Sequence, residues 1–241
     1  MTHLSDPIAI KNLNLPNRLV MPPMATAKAD ESGHVTDEVC SYYQERAKHS
    51  KIGLIITEHS YIHLQGKAHP GQTSMASDDV ELHSAHGYLL NQFFSPLANR
   101  RTDGYGPQTV ENRVRFHREV ILAVRQAVGE DFPIALRLGG CDYEAGGSTV
   151  EDCVEACRLL EHSGVDLLHL TGGMNGFVRP GHGEPGYFRD LSVPVKGAVH
   201  IPVLLTGGVT TPAQAEALLE EGCADLIGVG RAIFKNARWA D

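Results

Sequence analysis

Leu82 to Phe93 reads LHSAHGYLLNQF and sets two imidazoles, His83 and His86, three residues apart, with Gly87 and Tyr88 directly behind them. In a straight strand, positions i and i+3 face opposite ways, so the two histidines share a pocket only if the chain turns between them. Gly87 makes such a turn cheap. Two neutral imidazoles and a phenolic hydroxyl then offer hydrogen-bond donors to one oxygen atom, which suits a reaction that builds negative charge on a carbonyl oxygen. The plainer alternative is a pair of surface histidines on a loop.

Other polar residues fall where apolar runs end. Thr26 follows Pro22-Pro23-Met24-Ala25, Glu58-His59 closes one run, Arg137 sits near the end of another, and Gly172-Gly173, Gly207-Gly208 and Gly230-Arg231 close three more. Adjacent glycines after one strand and Gly-Arg after the next expose backbone N–H groups beside a guanidinium, an anion site of the type barrels use for phosphate; tight turns alone would also explain the glycines. A charge such as Arg137 at the end of a buried strand needs an anionic partner, either a ligand or Glu58. No GxGxxG follows any strand, so a Rossmann dinucleotide site is not indicated.

These residues are positioned by alternating strands and helices. Short β-branched runs at residues 17–24, 52–58, 80–83, 133–140, 165–173, 201–208 and 224–231 read as strands. Helices are expected at 36–48, 110–128 (core candidates Val114, Val120, Ile121, Val124 and Val128), 149–162, 191–199 and 212–221. This is the pattern of βα units around a parallel sheet, an α/β fold. Seven strands can be counted, one short of a (βα)₈ TIM-type barrel. The shortfall lies between His59 and Val80, where residues 61–72 are loop-like and Ser77-Asp78-Asp79 reads as a helix start running straight into a strand. A single domain over 1–241 is expected.

The 241 residues carry a formal net charge of −8 with no basic run, which argues against nucleic acid and anionic membrane as partners. No apolar stretch approaches a bilayer span and the N-terminus lacks signal-peptide character, so a cytoplasmic protein is expected. The five cysteines form no CxxC, and no metal site is expected; Cys153 and Cys157, one helical turn apart, read as packing residues.

LPNRLVMPPMAT (15–26), HSAHGYLLNQF (83–93), SPLANRRTDGYG (95–106), Arg137-Leu138-Gly139, Thr206-Gly207-Gly208 and Gly228-Val229-Gly230-Arg231 together resemble the FMN-dependent Old Yellow Enzyme family of ene-reductases. The resemblance implies a (βα)₈ barrel whose FMN takes hydride from NAD(P)H and passes it to the β-carbon of an electron-poor alkene. By that similarity His83 and His86 would hold the substrate oxygen and Tyr88 would supply the proton. Pro23, Met24, Ala25, Thr26 and Gly173 would line the flavin, with Arg137 beside its pyrimidine and Gly207, Gly208, Gly230 and Arg231 around its phosphate.

Members of the family carry a third strand ending in Gln and an HxG-type segment that this sequence lacks, so one βα unit is expected to be deleted near Asp79–Glu81. An open sheet edge there would favour a homodimer completed by strand exchange. Two other readings stand beside this one. The first is a flavin-free phosphate-binding barrel of the aldolase or epimerase type, which would lack an obvious Schiff-base lysine. The second is a barrel remnant that binds flavin without turnover.

Overall fold

The structure, a computed structural model, describes residues 1–49, 51–61, 67–74 and 80–240. It begins with a hairpin, β1 (Ile8–Ile10) and β2 (Leu13–Leu15), and continues through β3 (Leu19–Met21), α1 (Asp37–His49), β4 (Leu54–Ile55), β5 (Val80–Ser84), α2 (Leu89–Phe94) and α3 (Val110–Val128). The regular half then runs β6 (Ile134–Cys141), α4 (Val150–Glu161), β7 (Leu167–Gly172), α5 (Arg189–Lys196), β8 (Val203–Thr206), α6 (Pro212–Glu220), β9 (Leu226–Gly228) and α7 (Arg231–Lys235).

Seven strands form one parallel sheet in the order β4-β3-β9-β8-β7-β6-β5. The first barrel strand pairs with the last, Leu19 opposite Ile227, as in a barrel that closes on itself. Closure fails on the other side, where β4 and β5 are the two ends of the order and no ladder among the described residues joins them. The fold is therefore a TIM-type barrel left open where the sequence predicts a missing unit. Residues 62–66 of the loop-like stretch and the helix start at 77–79, with the junction at Asp79, lie outside the described residues.

Local signals explain the helices. Thr149 and Thr211 each close a capping box, with Asp152 and Gln214 as the reciprocal partners, and Pro212 takes the first turn of α6, where no N–H is needed. On α3, Val114 and Ile121 are buried as expected, whereas Val120, Val124 and Val128 are only half-buried. The buried stripe is completed by Arg113, His117 and Arg125, which apolar periodicity passes over. Cys153 and Cys157 are fully buried in the core cluster, and all five cysteines are free.

Several elements differ from expectation. The second barrel strand shrinks to Leu54–Ile55, and Glu58 beyond it accepts from Thr26 and Thr73 outside the ladder. Helix α5 is shifted, starting at Arg189 and stopping at Lys196 where 191–199 is expected, and the short α2 is additional. The N-terminal lead-in is a hairpin whose Ile10 and Leu15 pack with Val20, Leu167, Leu204 and Leu226 as a plug on the inner face of the sheet. No described helix is long and apolar enough to cross a membrane.

The plug, α3 and the sheet meet at Asp166. Its carboxylate accepts hydrogen bonds from Arg125 Nη2 at 2.6 Å and from the Ile134 N–H at 2.9 Å, and lies 3.2 Å from Lys11 Nζ. Asp166→Ala takes the carboxylate from a buried guanidinium, leaving it backbone carbonyl acceptors, and unpairs a strand N–H, so an unfolding free-energy loss of about 3–5 kcal/mol is expected in urea titration. A loss below about 1 kcal/mol would show that this junction does not support the fold.

Candidate active site

Parallel register assembles the site. β5 pairs with β6 so that His83 lies opposite Arg137, and β6 pairs with β7 so that Arg137 lies opposite His169. Register partners in a sheet point to the same face, so the three side chains stand in one row. The same face carries Ala135, Leu167 and Leu204 among the apolar plug residues, which makes it the inner face. The other face of β5 is fixed by Ser84, whose hydroxyl lies 2.6 Å from Nε2 of the buried His117 on α3.

The turn expected after His83 is present, and His86 itself takes part in it. His86 has φ +57° and Gly87 φ +79°. A left-handed histidine costs roughly 1–2 kcal/mol, and local bonds hold it there: Tyr88 N–H donates to Ala85 O at 3.2 Å, and Gly87 N–H donates to Asn91 Oδ1 at 2.9 Å. His86 Nε2 lies 3.1 Å from Thr171 Oγ1 on β7. The rings of His83 and His86 then meet edge to face at 5.2 Å, and the Tyr88 ring lies 5.2 Å from His83. Tyr88 is 41% exposed, and neither its hydroxyl nor His83 is engaged in a hydrogen bond with any described residue.

Electrostatics keep the pair neutral. Burial, then Arg137, then His86 push His83 down to about 3; burial, then Arg137 and His169 bring His86 to about 3. Each imidazole therefore carries one N–H and one lone pair at neutral pH, which makes it a donor without a charge to neutralise.

Arg137 is 8% exposed, and its Nε has no hydrogen-bond partner. Burial lowers its pKa while Glu81 opposes that shift. The ion pair with Glu58 that the sequence left open does not form. Glu58 instead accepts from the Thr26 N–H, from Thr26 Oγ1 at 3.0 Å and from Thr73 Oγ1 at 2.6 Å. The Thr26 hydroxyl is thus committed to Glu58. Pro23, Met24 and Thr26 are half-buried and Ala25 is exposed on the loop after β3, with Met24 packed over Gly230.

The glycines have structural tasks. A Cβ on Gly207 would lie 2.7 Å from the Tyr187 ring, and one on Gly208 would lie 2.3 Å from Glu184 O, so both are required by the loop that returns to α5. Arg231 is exposed and its Nη2 lies 3.4 Å from the Tyr187 hydroxyl. The Gly173 N–H is spent on Cys141 O at 2.9 Å. The neighbouring Asp142 is a fully buried hub accepting from Ser95 Oγ at 2.6 Å, the Ser148 N–H at 2.8 Å and the Met174 N–H at 2.8 Å. This ties the Ser95 block to the ends of β6 and β7.

Sequence reasoning missed Glu81, His169 and Phe177 beside the clamp, and marked His59 only as a strand-end residue. His59 lies 6.0 Å from the Tyr88 ring and 5.3 Å from His69. His169, fully buried, has Nδ1 2.8 Å from Glu81 Oε1. Phe177, 58% exposed, packs edge-on to His86 at 5.9 Å. A signal existed for His169 singly, as a polar residue within the apolar run 167–170, though not for its pairing with Glu81.

Against known proteins, residues 3–79 and 73–241 match the sequence pattern of the NADH:flavin oxidoreductase / NADH oxidase family. The two matches meet where a unit is missing. An NADH oxidase from Thermoanaerobacter brockii is 31% identical over 331 aligned positions, more than the 241 residues of this chain, covering 99% of it and 50% of the relative. The chain thus spans about half the length of that relative. An NADPH dehydrogenase from Bacillus cytotoxicus is 29% identical, with 98% of the chain and 90% of the relative covered. Among solved structures, an Old Yellow Enzyme homologue from Zymomonas mobilis superposes with TM-score 0.80 at 20% identity over 98% of this chain and 90% of the other, a likeness of fold.

The neutral histidines carry a pH signature. Below pH 6.5 the unfolded chain binds protons that folded His83, His86 and the buried His117, itself lowered to about 4 by burial, refuse. Stability is therefore expected to be level above about pH 7.5 and to fall as pH drops, by up to about 1.4 kcal/mol per unit per histidine. Replacing His83 and His86 by Gln should flatten that slope in urea unfolding at pH 5 to 7.5. An unchanged slope would mean that the pair is protonated in the fold.

Proposed function

The chain belongs to the NADH:flavin oxidoreductase / NADH oxidase family, and on that premise we propose that it binds FMN at the mouth of its open barrel and uses NAD(P)H to reduce electron-poor C=C bonds of small molecules such as enones, enals and nitroalkenes. One observation carries the reading: His83 and His86, 5.2 Å apart and held neutral, face Tyr88 above the buried Arg137. FMN, when bound, supplies the hydride.

The residues present fit that group at its ring end. Arg137 is a buried cation with an unpartnered Nε, and a ring edge carrying carbonyl oxygens and gathering negative charge on reduction satisfies both needs. Pro23, Met24, Ala25, Thr26 and Gly173 are proposed to line the ring. Gly207, Gly208, Gly230 and Arg231 are proposed to hold the phosphate, with Arg231 as the cation. The same fit disfavours a flavin-free phosphate enzyme, which would bring no partner to the buried Arg137 Nε.

Toward the substrate, the N–H groups of His83 and His86 hold the activating oxygen and stabilise the charge that develops on it as hydride reaches the β-carbon. Binding without charge matters, because a neutral donor gives up no proton to the oxygen before the step. Tyr88, at the rim, delivers the proton to the α-carbon. Phe177 walls the far side of His86. The chain therefore supplies position and electrostatics, and the redox chemistry belongs to the cofactor.

The free cysteines suit a cytoplasmic setting. The two ends of the sheet, β4 and β5, support pairing of two copies by strand exchange. Light scattering of the purified chain should give twice 26.1 kDa; a monomer would remove that part of the reading.

The purified protein is expected to be yellow, or to become so when titrated with FMN, and to oxidise NADPH faster once an enone is added. Changing His83 and His86 together to Ala should lower kcat/KM for the enone by at least a hundredfold while FMN stays bound, and Arg231→Ala should weaken FMN binding. A protein that remains colourless with excess FMN would overturn the reading. Flavin binding without alkene-dependent turnover would make the chain a binding remnant.

A further inference from the structure

Beneath the site lies a buried ionisable pair that the proposed reaction does not use. Glu81 is on β5 and His169 on β7, with β6 between them, yet His169 Nδ1 and Glu81 Oε1 are 2.8 Å apart. The contact must cross the inner face of β6. Glu81 lies opposite Ala135 and His169 opposite Arg137, so it crosses between those two residues, over the small alanine and at the foot of the arginine. His169 is fully buried, and the Glu81 side chain is 7% exposed. A carboxylate can only accept, so the imidazole donates from Nδ1 and presents Nε2 as a lone pair. That Nε2 and the Arg137 Nε are both buried and both without a hydrogen-bond partner.

We propose that Glu81 and His169 are a positioning pair for Arg137: the carboxylate offsets the buried guanidinium and fixes His169 as its Nδ1–H tautomer, with Nε2 as an acceptor beside the arginine, so that Arg137 meets the bound ring with a moderated positive field. The pair acts through Arg137 and touches no substrate. The groups facing it agree with this charge arrangement. His169, Arg137 and His83 hold Glu81 ionised against its burial, and burial keeps His169 neutral although Glu81 pulls the other way; His86 is the remaining titratable neighbour.

The tuning role rests on the flavin reading above, whereas the tautomer does not. Nitrogen-15 NMR of the flavin-free protein should show His169 as the Nδ1–H tautomer alone, unchanged between pH 5.5 and 8.5, on a scale set by the ordinary imidazole value. An Nε2–H tautomer, a mixture, or titration in that range would overturn the pair, and this measurement requires no variant to fold. In the FMN-loaded protein, Glu81→Gln removes the charge and keeps the shape. The preference for reduced over oxidised flavin should rise at least tenfold, about 30 mV toward positive potential, and Glu81→Asp should restore most of the original value. An unchanged potential in E81Q would reduce the pair to packing. A protein that takes up no FMN would overturn the flavin reading and the tuning role, while the tautomer still decides the pairing.

Discussion

Parallel pairing of β5, β6 and β7 in one register is the constraint on which the site depends. It places His83, Arg137 and His169 side by side on the inner face, above a layer made apolar by Val20, Leu167, Leu204 and Leu226. Because strand side chains alternate, a slip of one residue would send all three outward into the helical layer and bring Ser84 and Leu136 inward. Ser84 is held outward by the buried His117 and Leu136 by the main core, so packing on both faces specifies the same register.

Burial then sets the chemistry. In water a pair of histidines and an arginine would repel weakly and titrate independently. Here desolvation favours the neutral imidazoles, and the guanidinium, which cannot release its proton, adds to that preference. Glu81 is the counterweight below and His86 the strained member above. The left-handed turn at His86 is tolerated because Asn91, Ala85 and Thr171 each hold one end of it.

Much of this was legible in the sequence. Alternating apolar runs and capped helices located the second half to within a few residues, since each βα unit carries its own periodicity and its own stop signals. Even the absent unit showed, as a stretch between His59 and Val80 too short for what it had to contain. The turn at Gly87 followed from spacing alone. The first half was harder: the hairpin at 8–15 has no turn signature stronger than Asn12, and Glu58, just past the short strand at 54–55, takes partners Thr26 and Thr73 that lie far away in sequence. Long-range polar bonds of this kind leave no periodic trace. The Asp142 hub and the pair of Glu81 with His169 were hidden for the same reason, and the glycines near Tyr187 because their neighbour approaches from another loop.

The pairing of β3 with β9 has a further consequence, for the order in which the chain is assembled. Leu19 and Ile227 come together across almost the whole sequence, whereas the pairings β5–β6, β6–β7, β7–β8 and β8–β9 each join strands one unit apart. During synthesis the segment carrying Met24 and Thr26 leaves the ribosome early and has only β4 to pair with until β9 has followed it. Residues 80 to 228 can gather as a local unit at modest loop-closure cost, and the N-terminal strands dock on it afterwards. The histidine clamp therefore belongs to the part that folds on local contacts, and the loop after β3 to the part that arrives last.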